Sequence, residues 1–313
     1  MKYNIRKILV QLKVKYNVKG PHNFNFEAIN SVFDAEENTL TWINSSLPKS
    51  EIILSNCKAN IVLCDEELLL KPHSYSNKTF IITKNPQLIF LKILKIIFSK
   101  PQINKSFIHP TAIIDSKAVI GKRVSIGPYA LVGESQIGND TKVEAFAKIH
   151  DNVIIGSNVL ISEYCNIGGQ GFGHIINENG ENENMPHVGN VIIENGVEIF
   201  PFSNVDRATL SSTVIKKNTK IDHYCHIGHN TITGENSIIT AKVVISGGVI
   251  IGSSCWIGVG TLIREKLIIG NSVITGMGSV VTKDIPDNEL WVGNPACNFD
   301  DFKRRLKKQI LTK

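Results

Sequence analysis

In this 313-residue chain an apolar residue returns every six positions from residue 108 onward. The series runs Ile108, Ile114, Ile120, Ile126, Val132, slips by one, and continues Ile137, Val143, Ile149, Ile155, Ile161, Ile167. After an interruption it reads Val191, Val197, Ser203, Thr209, Ile215, Ile221, Ile227 and onward at the same interval to Val281. A helix repeats every 3.6 residues and a strand every two, so neither alone gives six. A short strand followed by a corner does. Three such flats close one coil, and stacked coils bury a continuous apolar column. Glycine often follows the inward residue, as at Gly121, Gly127, Gly228 and Gly252, where the backbone is expected to be tight.

The expected fold is therefore mainly β: a parallel β-helix, or hexapeptide solenoid, of roughly nine coils over 106–285. An excursion loop, GQGFGHIINENGENENMPHVGN, spans 169–190 and returns in phase. A long polar loop on a regular scaffold is read as substrate-binding. Residues 1–100 lack the period and read as a small α/β domain. Ile5 to Tyr16 looks helical. Leu40–Ile43, Ile52–Leu54, Ile61–Leu63 and Thr79–Thr83 look like strands, and Asn85-Pro86 opens a helix to about Phe98. Lys100 to Ser106 is read as the linker. Residues 286–313 are read as a loop and an amphipathic C-terminal helix from Phe299 to about Leu311.

The longest apolar run, Leu88 to Phe98, is broken by Lys92 and Lys95, so no membrane span is expected. The N-terminus scatters Lys and Arg among apolar positions, unlike a signal peptide. Six cysteines form no C-x-x-C pair, which points to a reduced, cytoplasmic chain with free thiols and no metal site. The net charge of +6 gathers in the first twenty residues and in the tail around Lys303, Arg304 and Arg305. That suits a phosphate-bearing partner; no nucleic-acid-binding motif accompanies it.

Three of the nine histidines lie in IDHYCHIGHN, at His223, His226 and His229. The six-period places His223 and His229 at equivalent corners of adjacent flats, pointing apart, which argues against a shared metal. Acyl transfer to an amine needs a base for the departing proton, and histidine titrates near neutrality. It also needs donors aimed at the developing oxyanion. One coil after His229 comes Gly247, followed by Gly248, whose backbone is expected to supply such a donor.

The segments HPTAIIDSKAVIGKRVSIGPYALVG, GGQGFGH, VDRATL, IDHYCHIGHNT and TGMGSVV, with the N-terminal domain, resemble the N-acyltransferases of UDP-3-O-acylglucosamine. The likeness covers about residues 25–285. It implies a left-handed coil, a homotrimer with sites between subunits, His229 as general base, Asp222 as its acidic companion, and Gly247 one coil on. It also implies that the N-terminal domain helps bind the nucleotide, with Trp42 and Asn44 as the nearest matches. Phe172, Gly173 and His174 of the excursion loop, and Asn230, are the expected substrate contacts.

The chain departs from that family in places. Lys266 stands where the family has a second histidine, Asn44-Ser45-Ser46-Leu47 replaces an N-P-x-Y stretch, and Ser279 replaces a bulky residue beside the acyl groove. The stretch VVTKDIPDNELWVGNPA, 280–296, resembles the closing segment of coenzyme-A-dependent hexapeptide acetyltransferases. These features favour a coenzyme A thioester as donor and a dTDP- or UDP-linked amino-deoxy sugar as acceptor, as in the nucleotide-sugar N-acyltransferase of anthrose biosynthesis. Arg264, Lys266, Asn294 and Pro295 are then the expected coenzyme A contacts. The alternatives are an acyl-carrier-protein-dependent enzyme acting on UDP-3-O-acylglucosamine and a non-catalytic nucleotide-sugar-binding scaffold.

Overall fold

The computed structural model describes residues 2–69, 77–98 and 106–304. The chain divides into two compact units, Met1–Gln102 and Ile103–Lys313.

The first unit holds a five-stranded sheet in the order Asn17–Lys19, Thr79–Ile82, Ile61–Cys64, Thr39–Trp42, Ala28–Ile29. The last four run parallel, and Asn17–Lys19 is antiparallel to its neighbour. Ile61-Val62-Leu63-Cys64 is apolar throughout because both faces are covered. Ile61 and Leu63 join Ile5, Leu9, Leu40 and Ile93 on one side. Val62 and Cys64 join Leu54, Ile43 and Phe80 on the other. The helix Pro86–Phe98 starts where the proline places it.

Two expectations fail here. The first helix spans only Ile5–Gln11, with Asn4 capping the Lys7 N–H, and Asn17–Lys19 is a strand. The run read as a strand at Ile52–Leu54 lies inside the helix Ser50–Asn56. A short apolar run has no periodicity of its own, and here Ser50 and Leu54, one helical turn apart, face the core.

The second unit is the solenoid. Its three faces are parallel sheets of eight, eleven and nine strands; the last strand of the eleven-stranded face pairs antiparallel. The first face includes Ser212–Ile215, the second Lys220–Ile221 and the third His226–Ile227. The inward column of Ile126, Ile161, Ile221, Ile239 and Ile257 on the second face is fully buried.

Around the interruption the stacked column is shifted by two from the expected one. Ile193, Ile199 and Val205 sit over Ile155, Ile161 and Ile167, and Ile215 then sits over Ile193. Val191, two residues before Ile193 on the same strand, and Val197 and Ser203, each just ahead of its strand, are also buried and mimic the column. Extra residues after Val205 absorb the difference.

Gly121, Gly127, Gly228 and Gly252, which follow inward residues, do not supply the corners' left-handed backbone. That conformation falls to residues such as Tyr129, Phe146, Tyr164 and Asn230. At Gly127 the reason is closeness of the next coil, since a Cβ there would come 2.7 Å from the Ala145 nitrogen. Tyr129, Phe146, Tyr164, Phe202 and Tyr224 stack ring on ring at 4.9–5.2 Å along the corner between the second and third faces.

The excursion loop carries a hairpin of His174–Ile176 with Asn182–Asn184. After the last coil, Leu290–Val292 extends the second face. The C-terminal helix begins at Phe299, and its expected continuation past Arg304 lies outside the described residues, as does most of the 100–106 linker. Among the described residues no helix is long and apolar enough to cross a membrane.

Candidate active site

The corner between the third and first faces carries the chemistry. The excursion loop leaves and returns there, and on the following rungs come Asp206 to Ser211, Gly228 to Asn230, Ser246 to Gly248, and Arg264 to Lys266. The Gly248 N–H donates to the His229 carbonyl at 2.8 Å, so Gly247 lies on the rung directly above His229. A Cβ at position 247 would stand 2.5 Å from His229 Nε2. Only glycine lets the half-buried imidazole lie across that backbone.

The tautomer of His229 follows from its neighbours. Asn230 Oδ1 accepts from the Thr209 N–H at 3.0 Å, and a backbone N–H can only donate, so this atom is the amide oxygen. The same oxygen lies 2.9 Å from His229 Nδ1, which must therefore carry the proton. Nε2 then holds the free lone pair, facing Gly247.

Gly247 supplies the second element. At comparable corners the backbone N–H is capped by the next coil, as in Glu134 to Asp151 Oδ1, Ser157 to Asn195 Oδ1 and Ser253 to Asn271 Oδ1. Among the described residues nothing takes the Gly247 N–H; the corresponding residue one coil on, Glu265, is exposed. A lone pair and a free donor thus share one corner.

The excursion loop closes over the other side of the base. His187 is 4% exposed and meets His229 edge to face, with ring centroids 4.8 Å apart. Its Nδ1–H donates to the Met185 carbonyl at 2.9 Å, leaving a buried Nε2 without a partner among the described residues. Gly171 explains the Gly-Phe-Gly motif: a Cβ there would fall 2.8 Å from His187 Nε2 and 2.9 Å from His229 Cβ. Gly173 packs against the same ring. Phe172 is 85% exposed, its ring tilted by 52° against that of His174 with centroids 4.7 Å apart.

Asp206, and not Asp222, is the carboxylate of this cluster. It is buried, accepts from Asn204 Nδ2 at 2.6 Å, and lies 3.7 Å from His226 Nε2. Burial pushes its carboxyl above the ordinary value, against the opposing pull of Asn204 and of His226, His229 and His187. The expected companion Asp222 belongs to the preceding corner, where it takes the His223 ring at 2.6 Å and backbone N–H at 2.8 Å. Burial alone would raise the Asp222 carboxyl, but the His223 contacts outweigh it and hold it below the usual range. Asp206 and His187 were missed in the sequence. The motif VDRATL contained the first, and the paired loop glycines hinted at something packed beneath them.

Asn204 also heads an amide ladder on the outside of the third face. Asn166 Nδ2 donates to Asn204 Oδ1 at 2.7 Å, and His150 Nε2 donates to Asn166 Oδ1 at 2.8 Å. Burial is the main cause holding His150 below its ordinary pKa. No group of three or more side chains suited to a metal occurs among the described residues.

The remaining expected contacts lie elsewhere. Arg264 and Lys266 are exposed, and the Lys266 N–H donates to the Gly247 carbonyl at 3.0 Å, one rung further on. Asn294 and Pro295 sit in an exposed turn tied to Val280 of the third face through Gly293 O and Ala296 N–H. In the first unit, Trp42 ends its strand half-buried against Phe90, and Asn44 Oδ1 accepts from Ser46 Oγ. A cleft of about 900 Å³ opens beyond the carboxyl ends of three parallel strands, lined by Ser45, Asp65, Thr83 and Asn85 among others. Such crevices are where open parallel sheets take ligands. Ser45 lines it, while Trp42 and Asn44 do not.

Residues 134–169 match the bacterial transferase hexapeptide (six repeats) family. The chain is 32% identical to UDP-3-O-acylglucosamine N-acyltransferase 1 of Francisella tularensis subsp. holarctica, with 75% of this chain and 73% of that protein covered. The chain belongs to the UDP-3-O-acylglucosamine N-acyltransferase family. A second relative, from Hydrogenovibrio crunogenus, is 28% identical over 74% of this chain and 70% of its own length. Among solved structures, UDP-N-acetylglucosamine O-acyltransferase from Moraxella catarrhalis aligns at TM-score 0.54 and 26% identity, covering 63% of this chain and 77% of that one. The Campylobacter jejuni UDP-N-acetylglucosamine acyltransferase aligns at 0.55 and 26%, covering 61% and 73%. The coil is accordingly the left-handed β-helix, and the protein is an acyltransferase.

Proposed function

We propose that this acyltransferase moves an acyl group from a thioester to the amine of a nucleotide-linked amino-deoxy sugar. His229 is the base and the Gly247 N–H the oxyanion donor. The supporting observation is the pairing of a lone pair fixed on His229 Nε2 by Asn230 with an uncapped N–H beside it. The amine nitrogen attacks the thioester carbonyl as Nε2 takes its proton. The carbonyl oxygen becomes an oxyanion facing the Gly247 N–H. The C–S bond then breaks, and the imidazolium returns the proton to the departing thiolate. His187, Gly171 and Gly173 limit the rotation of the base, and Asp206 supplies compensating charge near the forming imidazolium.

For the donor, the reading is coenzyme A. Arg264 and Lys266 carry charge one rung beyond Gly247, where phosphates of a bound thioester would run. The turn at Asn294 and Pro295 lies against the last strand of the same face. The acceptor is a dTDP- or UDP-linked sugar, and Trp42 and Asn44 of the N-terminal unit enter this proposal as nucleotide contacts on the family resemblance alone. The excursion loop's Phe172, Gly173 and His174, with Asn230, border its sugar end. A homotrimer completes the reading.

The test is a matrix of donors and acceptors: acyl-coenzyme A and acyl-carrier-protein thioesters against UDP- and dTDP-linked amino sugars. N-acylated nucleotide sugar formed from coenzyme A thioesters is the expected product. Turnover with carrier-protein thioesters alone, on UDP-3-O-acylglucosamine alone, would replace both finer assignments.

A further inference from the structure

Arg207 is a cation whose hydrogen bonds do not reach an acid. Its Nε–H donates to the Gly168 carbonyl at 2.7 Å and its Nη2–H to the Asp151 carbonyl at 3.1 Å. The side chain therefore reaches back across two rungs, and two backbone carbonyls fix the guanidinium plane. A guanidinium has five N–H donors, so donors remain after these bonds. Among the described residues its side-chain bonds go to carbonyl oxygens, not to a carboxylate.

Lys148 points outward from the same part of the third face, paired in register with Asn166, and is exposed. His150, two residues on, feels both charges: after burial, Lys148 and Arg207 are among the causes that lower its pKa. The acids nearby are occupied by turn amides. Asp151 Oδ1 accepts from Glu134 N–H at 2.9 Å, and Asp115 Oδ1 from Lys117 N–H at 2.8 Å. Lys148 and His150 line a groove of about 370 Å³ together with Leu131, Ile113 and the amide-bonded Asp115 and Asp151.

We propose that the diphosphate of the nucleotide-linked acceptor binds here, on Arg207 and Lys148. This deepens the reading above and rests on it. Spacing supports the assignment. Lys148, Asn166, Asn204 and His226 stand on successive rungs of one face. At about 4.8 Å per rung, Lys148 is roughly 14 Å from the His226 rung, which carries His229 at its end. The carbonyls that anchor Arg207 lie on the Lys148 rung, at Asp151, and on the Asn166 rung, at Gly168. A hexose ring with its amine at His229 Nε2 would lay its diphosphate toward Arg207, and Asn166 and Asn204 would lie under the sugar. Arginine and lysine are the residues that recognise phosphate, the first by paired N–H donors and the second as a point charge.

The experiment compares binding of UDP with UMP, and of dTDP with dTMP, by calorimetry to the parent, Lys148→Ala, Arg207→Lys and Arg207→Gln. The parent is expected to favour the diphosphate by about tenfold, one well-made charged contact's worth. Lys148→Ala and Arg207→Gln should bring that ratio toward one and leave monophosphate affinity within about twofold, with Arg207→Lys intermediate. In turnover the loss should fall on KM for the nucleotide sugar more than on kcat. Arg207 also braces the loop base, so Lys148→Ala, at an exposed position, keeps the test open if Arg207→Gln unfolds. A diphosphate preference equal to the parent's in both Lys148→Ala and a folded Arg207 variant overturns the site while leaving nucleotide-sugar acylation intact. Acylation of no nucleotide sugar by the parent, with diphosphate binding still dependent on Arg207 and Lys148, overturns the functional reading and keeps the anion site.

Discussion

Asn230 Oδ1 lies 2.9 Å from His229 Nδ1 and accepts the Thr209 backbone N–H as well, so one amide oxygen decides which imidazole nitrogen is the base. Asn230→Ala removes that acceptor and frees the ring to adopt the other tautomer. The expected outcome is a fall in kcat of about 10- to 100-fold, the usual effect of losing a partner that orients a functional histidine. Asn230→Asp keeps the acceptor and adds charge beside Nδ1. It should recover much of the rate and move the acidic limb of the pH–rate profile, where the base becomes deprotonated, to higher pH. Equal rates for parent and Asn230→Ala would remove the orienting role.

Gly247→Ala tests the closeness of base and backbone. The added methyl would stand 2.5 Å from His229 Nε2, so the imidazole must rotate away. Activity should drop at least about 100-fold, while overpacking costs about 1–3 kcal/mol of stability. Gly180→Ala, on the excursion loop, meets no atom within 4 Å but lies at φ +80°, so it controls for a destabilising glycine substitution that leaves the imidazole untouched. Calorimetric unfolding and steady-state rates on both variants decide it; an active Gly247→Ala enzyme would mean the ring does not work at this spot.

The raised Asp206 carboxyl predicts the sign of a pH effect. Between the ordinary carboxylate pKa and the raised folded value, the native state holds a proton that the unfolded chain has released. Stability therefore falls as pH rises through that window and is level above it. Asp206→Asn removes the titration. In urea unfolding at a series of pH values, the parent should lose stability relative to Asp206→Asn as pH climbs out of the acid range. A constant difference between the two proteins would show that Asp206 titrates normally.

The cysteines give a chemical test of both cores, Cys64 for the N-terminal sheet and Cys165 and Cys225 for the solenoid. All six are free and buried, and burial pushes Cys64 up to about 12 and Cys165 and Cys225 up to about 11. Thiols, unlike thiolates, react slowly with alkylating agents. Mass spectrometry after iodoacetamide treatment at pH 8 should find these three unmodified in the folded protein and modified in urea. Rapid native labelling of Cys165 or Cys225 would contradict the packed column.

The period of six was legible because coil geometry leaves the sequence almost no other way to bury a repeating isoleucine. It was less informative where residues two apart are both buried, so Val191 and Ser203 passed for the column that Ile193 and Val205 occupy. Ser50 to Asn56 was misread because its apolar run is too short to show a helical period. His229 and Gly247 were legible because one coil separates them in sequence as in space. His187 was not: only the folded excursion loop brings it to His229. Asp222 was misleading for a related reason, since a short interval along the chain still turns one corner of the prism. Asp206 reaches the cluster from the coil below.

The most direct measurement is kcat/KM of His229→Ala with a coenzyme A thioester and a nucleotide-linked amino sugar, beside its thermal unfolding. A general base at Nε2 predicts a loss of about 10²–10⁴-fold with a near-parental melting temperature. A variant that folds normally and keeps its rate within a few-fold of the parent would contradict the assignment of His229 as the base.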